Sequence, residues 1–261
     1  MIAHTSIDIS PIYSVVMTAC INPGGENVYR SKPEVRLKDY ENSLRFWLEL
    51  KESRIKNIIF IENSGYPLEK LIEISQSYNP WNRECEFISL NCNEIPSGLH
   101  YGYAEFKLLD VGLLESKIFV KSDYLIKATG RYKFPAISRL LNCLPKEYKL
   151  AADTRNVSRF VPYPRQNVTV ALILFSRDFY HNHLREIYKE MQLLPRKSFI
   201  EDILYDKLMP IYEEPGIILR WPCNCEPQGI GGNGQSYTSL KKRSIAVCRA
   251  VGRIMLPNWW F

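Results

Sequence analysis

The chain has 261 residues, 46% of them hydrophobic, which supports one large α/β domain and excludes global disorder. Its formal net charge of +6 suits anionic partners such as nucleotides, anionic lipid or nucleic acid without choosing among them. No apolar run approaches the ~20 residues needed to span a bilayer, and the first residues lack the basic-then-apolar order of a signal peptide, so the expected location is cytoplasmic.

In chain order, Ser14-Val-Val-Met-Thr-Ala19 reads as a buried strand closed by the turn residues Asn22-Pro-Gly-Gly25. A helix is predicted over 39–51, with Arg36, Asp39 and Tyr40 at or just before its start and placed to pin the loop after the first strand. Asn57-Ile-Ile-Phe-Ile61 is a second strand, ending at Glu62-Asn-Ser-Gly65. Pro67 opens a helix with Leu68, Leu71, Ile72 and Ile74 on one face. Further strands are expected over 86–90, 124–126, 148–152 and 168–175, and further helices over 103–116, 178–191 and 199–208. Seven cysteines follow no repeated CxxC plan. The close pair Cys223 and Cys225 lacks the second pair or histidines of a zinc site, so a reduced interior is expected.

Strands alternating with helices predict a mainly parallel sheet covered on both faces, with ligands beyond the carboxyl ends of its strands. Polar clusters fall at those ends, at 22–25, 62–65, 127–132 and 153–155, which favours one site over four unrelated loops.

Four segments then resemble bacterial glycosyltransferases of the GT-A type, the small enzymes of O-antigen, capsule and lipopolysaccharide synthesis. Ile58-Ile-Phe-Ile-Glu-Asn-Ser-Gly65 is similar to the second strand of that fold, whose acidic-Asn-x-Ser end contacts the nucleoside. Gly98-Leu-His-Tyr-Gly-Tyr-Ala-Glu105 resembles a Gly-Lys-Gly-Tyr-Gly-Glu-x-Glu segment of one subgroup. Lys127-Ala-Thr-Gly-Arg-Tyr132 matches that subgroup's Lys-x-Thr-Gly-Arg-Tyr, and Phe199-Ile-Glu-Asp202 resembles the acidic pair that supplies a catalytic base. His100 stands where the subgroup often has lysine, which counts against a phosphate role there.

The resemblance implies a single GT-A-like domain over 1–235 and a nucleotide-sugar donor, UDP-linked most often in this class. Glu62, Asn63 and Ser64 would hold the nucleoside, with Tyr101, Gly102 and Glu105 also on the donor. As the glycosidic bond breaks, charge grows on the leaving phosphate and needs a cation already aimed at it. Lys127 and Arg131 would supply it in place of a metal, helped by the Thr129 hydroxyl and by the close backbone approach that Gly130 allows. From composition alone the two cations are equally solvated strand ends. No metal is favoured; Asp153 is the place for Mg2+ or Mn2+ if one is used, although a single carboxylate is a poor site and a turn cap is its plainer role. Glu201 or Asp202, with preference for Asp202, would take the acceptor's proton, unless both merely start a helix capped by Ser198.

The glycine-rich run 229–234 lacks the strand that a dinucleotide fingerprint requires and reads equally as a mobile loop near the acceptor or as a plain flexible connector. From Ser239 an amphipathic helix is expected, with Lys242, Arg249 and Arg253 near one face and Val247, Ala250, Val251 and Ile254 near another. It ends at Pro257 and Trp259-Trp-Phe261. This extension, 236–261, fits either the inner membrane surface, where a lipid-linked glycan acceptor resides, or packing on the domain with Trp259 and Trp260 in the core. The expected function is glycosyl transfer to a bacterial surface glycan. The alternatives are a sugar nucleotidylyltransferase and a non-catalytic binding module for anionic ligands; dispersed basic residues and the lack of a recognised motif argue against nucleic acid.

Overall fold

The computed structural model describes residues 11–24, 29–156, 166–194, 197–231 and 234–255. Its centre is a seven-stranded sheet. Strands β1 (Tyr13–Ala19), β2 (Ile55–Glu62), β3 (Glu84–Ser89), β4 (Tyr124–Thr129) and β5 (Leu150–Ala151) are joined by β8 (Leu172–Ser176) and β9 (Ile217–Ile218) in the order β3-β2-β1-β4-β8-β5-β9. Pairings among β3, β2, β1 and β4 are parallel, while β8 runs antiparallel to both β4 and β5. A separate ribbon pairs β6 (Thr154–Asn156) with β7 (Gln166–Val168). The molecule is thus mixed α/β, with a mostly parallel sheet and a C-terminal helix.

Every residue of β1 is buried, as expected for a central strand covered on both faces. Alternate side chains feed two cores. Val15 and Met17 pack with Leu44, Trp47 and Leu48 of α1 (Pro33–Glu49), Leu71 and Ile74 of α2 (Glu69–Ser77), and Leu140 of α4 (Ile137–Cys143). Val16 faces the other way, with Phe106 and Leu109 of α3 (Gly102–Glu115), Phe179 of the short α5 (Arg177–Phe179), and Ile200 and Leu204 of α6 (Ile200–Leu208). Helix α7 (Leu240–Met255) lies last.

Three expectations need correction. The run 168–175 is not one strand: β7 ends at Val168, and a turn at Val170 and Ala171 separates it from β8. The helix expected over 178–191 is broken into α5, a π turn (Tyr180–Leu184) and a 3-10 turn (Ile187–Glu190), with Glu186 at φ 62° between the last two. Asp110 of α3 fixes that break by accepting from the Tyr180 hydroxyl at 2.7 Å and the Glu186 N–H at 2.6 Å. Arg36, Asp39 and Tyr40 lie inside α1, which begins earlier than periodicity suggested because Pro33 sits in its first turn. The aromatic end at 259–261 lies outside the described residues. Among the described residues no helix is long and apolar enough to cross a membrane.

Candidate active site

The carboxyl ends of β1, β2 and β4 meet the turn leading into β8. Gly130 N–H donates to the Thr18 carbonyl at 2.8 Å, Asn63 N–H to the Ala19 carbonyl at 3.1 Å, and Thr129 N–H to the Ala171 carbonyl at 2.9 Å. A Cβ at Gly130 would stand 2.7 Å from the Thr18 oxygen and 3.2 Å from the Tyr40 ring. Glycine is therefore required there by the close approach of two strand ends.

The two cations of the Lys-x-Thr-Gly-Arg-Tyr segment occupy different environments. Lys127 is fully buried. Its ammonium donates to Glu105 Oε1 at 2.6 Å, to the Val170 carbonyl at 2.7 Å and to Thr129 Oγ1 at 3.3 Å. Glu105 Oε1 also accepts from the Thr18 and Thr129 hydroxyls, each at 2.8 Å. Lys127, Thr129 and Glu105 thus form one internal network tying α3 to β1 and β4. Arg131 differs: its Nε and Nη1 are buried and have no hydrogen-bond partner among the described residues. Its guanidinium lies 5.8 Å from the Tyr132 ring centroid.

Glu62 is also fully enclosed. It accepts from the Ile21 N–H at 2.8 Å, the Ser64 N–H at 2.9 Å, the Tyr66 N–H at 3.0 Å and the Ser64 hydroxyl. Ser64 Oγ in turn accepts from the Asn22 N–H at 3.0 Å. Glu62 and Ser64 therefore shape the loop after β1. Asn63, between them, has a buried Oδ1 without a partner among the described residues. The same loop is clamped from α1: the Arg36 Nε donates to the Cys20 carbonyl at 2.5 Å, and Cys20 N–H donates to the Tyr40 hydroxyl at 2.9 Å, so these residues do pin it. Burial pushes the Cys20 thiol up to about 11, which leaves little thiolate at neutral pH.

The beginnings of α3 and α6 are brought together. His100 N–H donates to the Ser198 carbonyl at 3.2 Å, and the His100 and Phe199 rings stand 4.6 Å apart. A Cβ at Gly102 would lie 2.5 Å from Ile200 Cγ2, so this glycine serves helix contact. Tyr101 is exposed beside this seam as a residue, but desolvation of its hydroxyl, reinforced by the Glu201 and Glu105 carboxylates, pushes its pKa up to about 12. Of the acidic pair in the first turn of α6, Asp202 is buried and Glu201 half-exposed. Phe199, not Ser198, is the residue at the N-cap of α6, and its side chain makes no capping hydrogen bond.

Asp153 is buried against Arg253 of α7, whose Nη2 contacts its Oδ1. Among the described residues no group of three or more His, Cys, Asp or Glu is placed to hold a metal ion. The glycine-rich segment lies against the Arg131–Tyr132 backbone: a Cβ at Gly229, where φ is 142°, would stand 3.0 Å from the Arg131 carbonyl oxygen. Tyr237 N–H closes the segment on the Gly229 carbonyl at 3.0 Å, and its ring meets Tyr132 edge-on at 5.2 Å. Gly232 and Asn233 lie outside the described residues.

Sequence reasoning passed over Thr18, the Val170 carbonyl, Tyr237 and the inward role of Arg253. A threonine closing an apolar strand was the one visible signal, since the others depend on which distant segments meet.

No family model matches the chain, and no curated protein matches it in sequence. Among solved structures it is similar to the 4-diphosphocytidyl-2C-methyl-D-erythritol synthase of Anaerococcus prevotii, at 13% identity over 92% of this chain and 96% of that one, with a TM-score of 0.47. It is similar to the glycosyltransferase GlyE of Streptococcus pneumoniae at 11% identity, covering 81% of this chain and 45% of that one, with a TM-score of 0.48. It is also similar to the bifunctional glycosyltransferase WbbM at 12% identity, covering 94% of this chain and 45% of that one, with a TM-score of 0.49. The chain thus spans less than half of the last two, and at these identities the likeness concerns fold alone.

Proposed function

We propose that this protein transfers a sugar from a nucleotide-sugar donor, UDP-linked in the first instance, to a hydroxyl of a lipid-linked bacterial surface glycan. The observation that carries the reading is Arg131. A half-buried guanidinium with two buried, unanswered nitrogens at the carboxyl end of a mostly parallel sheet is costly unless an anion completes it. A diphosphate has the charge and the acceptor geometry to do so. At the end of β2, the Asn63 Oδ1 offers an acceptor for the nucleoside or sugar.

In this reading the acceptor oxygen bonds to the anomeric carbon while the bond from that carbon to the phosphate oxygen breaks, and its electron pair leaves with the nucleotide. Arg131 stabilises the charge that grows there. The hydroxyl proton goes to the acidic pair of α6, of which Glu201 is the half-exposed member, while Asp202, the one preferred from the sequence, is buried. Lys127 and Glu105 hold the strand ends in place without touching phosphate, and Glu62 shapes the nucleoside loop.

Thermal shift against a panel of nucleoside diphosphates and their sugars, followed by transfer assays on the stabilising donor, tests this. Wild type should be stabilised by one nucleotide. Arg131→Ala should lose that stabilisation and drop turnover about 10²–10³-fold while keeping its fold. Unchanged turnover in this variant would remove the role. Release of pyrophosphate from a nucleoside triphosphate and a sugar phosphate would instead assign the site to nucleotidylyl transfer.

A further inference from the structure

Helix α7 is docked inside out. Its basic face is turned to the protein: Arg253 is buried against Asp153 and donates to the Trp221 carbonyl at 3.3 Å, Arg249 pairs with Glu226, and Lys242 stands 5.7 Å from the Tyr237 ring centroid. The Asn224 Nδ2 donates to the Ala246 carbonyl at 2.7 Å on the same side. The opposite face is open to solvent. Leu240 is 82% exposed, Val247 63%, Val251 49% and Ile254 82%. Their spacing of seven, four and three residues puts them in one stripe, interrupted by Ser244 and Cys248. An amphipathic helix that only stabilises its own domain buries the apolar face.

We infer that this stripe is a docking surface for an anionic lipid bilayer. The argument for lipid is charge. Lys241 and Arg243 flank the stripe, both exposed, and α7 carries five basic residues and no acidic one. A second copy pairing through the same stripe would meet basic flanks with basic flanks, because a two-fold contact opposes identical surfaces. Anionic headgroups match those flanks, and the apolar side chains enter the acyl boundary. The Tyr237 side of α7 would then stand about one helix diameter, ~10 Å, from the lipid, bringing the Tyr132–Arg131 wall near the surface. The inference is independent of glycosyl transfer, since vesicle binding requires neither donor nor acceptor.

Flotation of the full chain with vesicles of phosphatidylcholine containing phosphatidylglycerol is the test. Wild type should float with these vesicles and fail to do so with phosphatidylcholine alone. The pair Val251→Gln and Ile254→Gln, at exposed positions and with good helix formers, should keep the thermal unfolding midpoint and weaken binding at least ~10-fold. Lys241→Glu with Arg243→Glu should do the same. Binding that survives the glutamine pair would overturn the inference, as would equal binding to neutral vesicles. Failure of wild type to bind, together with a dimer seen by light scattering that the glutamine pair dissolves, would overturn it in favour of self-association.

Discussion

A lysine within an apolar central strand is costly unless its charge is answered. At Lys127 the answer comes from Glu105, Thr129 and the Val170 carbonyl. Burial by itself would raise the Glu105 carboxyl. The Lys127 charge and the hydrogen bonds from Lys127, Thr18 and Thr129 outweigh it and hold the group below the usual carboxylate range. A lowered carboxylate stabilises fully above its unfolded value, about 4.3, and that contribution is lost as pH falls through the folded value. Glu105→Gln should therefore cost about 3–5 kcal/mol at pH 7, because it strands a buried ammonium, and should flatten the acid side of the stability profile. Urea unfolding at pH 7 and pH 3 checks this; a variant as stable as wild type at pH 7 contradicts it. A cation following Tyr-Leu-Ile marked Lys127 in the sequence, but its burial was not legible: the reading of a solvated strand end is overturned, since the side chain is fully enclosed. Its partner was not legible either, because Glu105 lies on another element 22 residues away and any nearby acid would have read equally well.

Among the elements, the parallel strands were the most legible, because burial on both faces leaves continuous apolar runs that periodicity detects. The helix expected over 178–191 failed because Asp110, from α3, supplies hydrogen bonds that reward a broken path. The end of α1 is a similar case. Its last carbonyls have no partner within the helix, and Arg83 supplies them from the start of β3. Arg83 Nη1 donates to the Trp47 and Leu48 carbonyls at 2.6 and 2.7 Å, and Nη2 donates to the Leu50 carbonyl at 2.6 Å. Burial lowers its pKa to about 10. Arg83→Lys should lower stability by about 2–4 kcal/mol, since one ammonium cannot span the same carbonyls. Denaturant unfolding would show it as a lower midpoint with an unchanged slope. An unchanged midpoint would mean that water serves those carbonyls equally well.

For the whole molecule, α7 is joined to the sheet through charge. Arg253→Met should destabilise by about 3–5 kcal/mol, because Asp153 is left buried with its cation removed. Adding Asp153→Asn should restore much of that loss, a coupling that a double-mutant cycle measures by thermal unfolding. If the two losses simply add, the pair does not hold the helix.

The antiparallel course of β8 has a consequence of its own. It returns the segment at 170–171 to the end of the sheet where β1, β2 and β4 also finish. A molecule resting there would touch stretches near 18–22, 62–64, 129–131 and 229, which are remote along the chain. Its arrival should act as a clasp, slowing amide hydrogen exchange in all of these stretches together, with the far rim around Arg54 and Tyr148 unaffected.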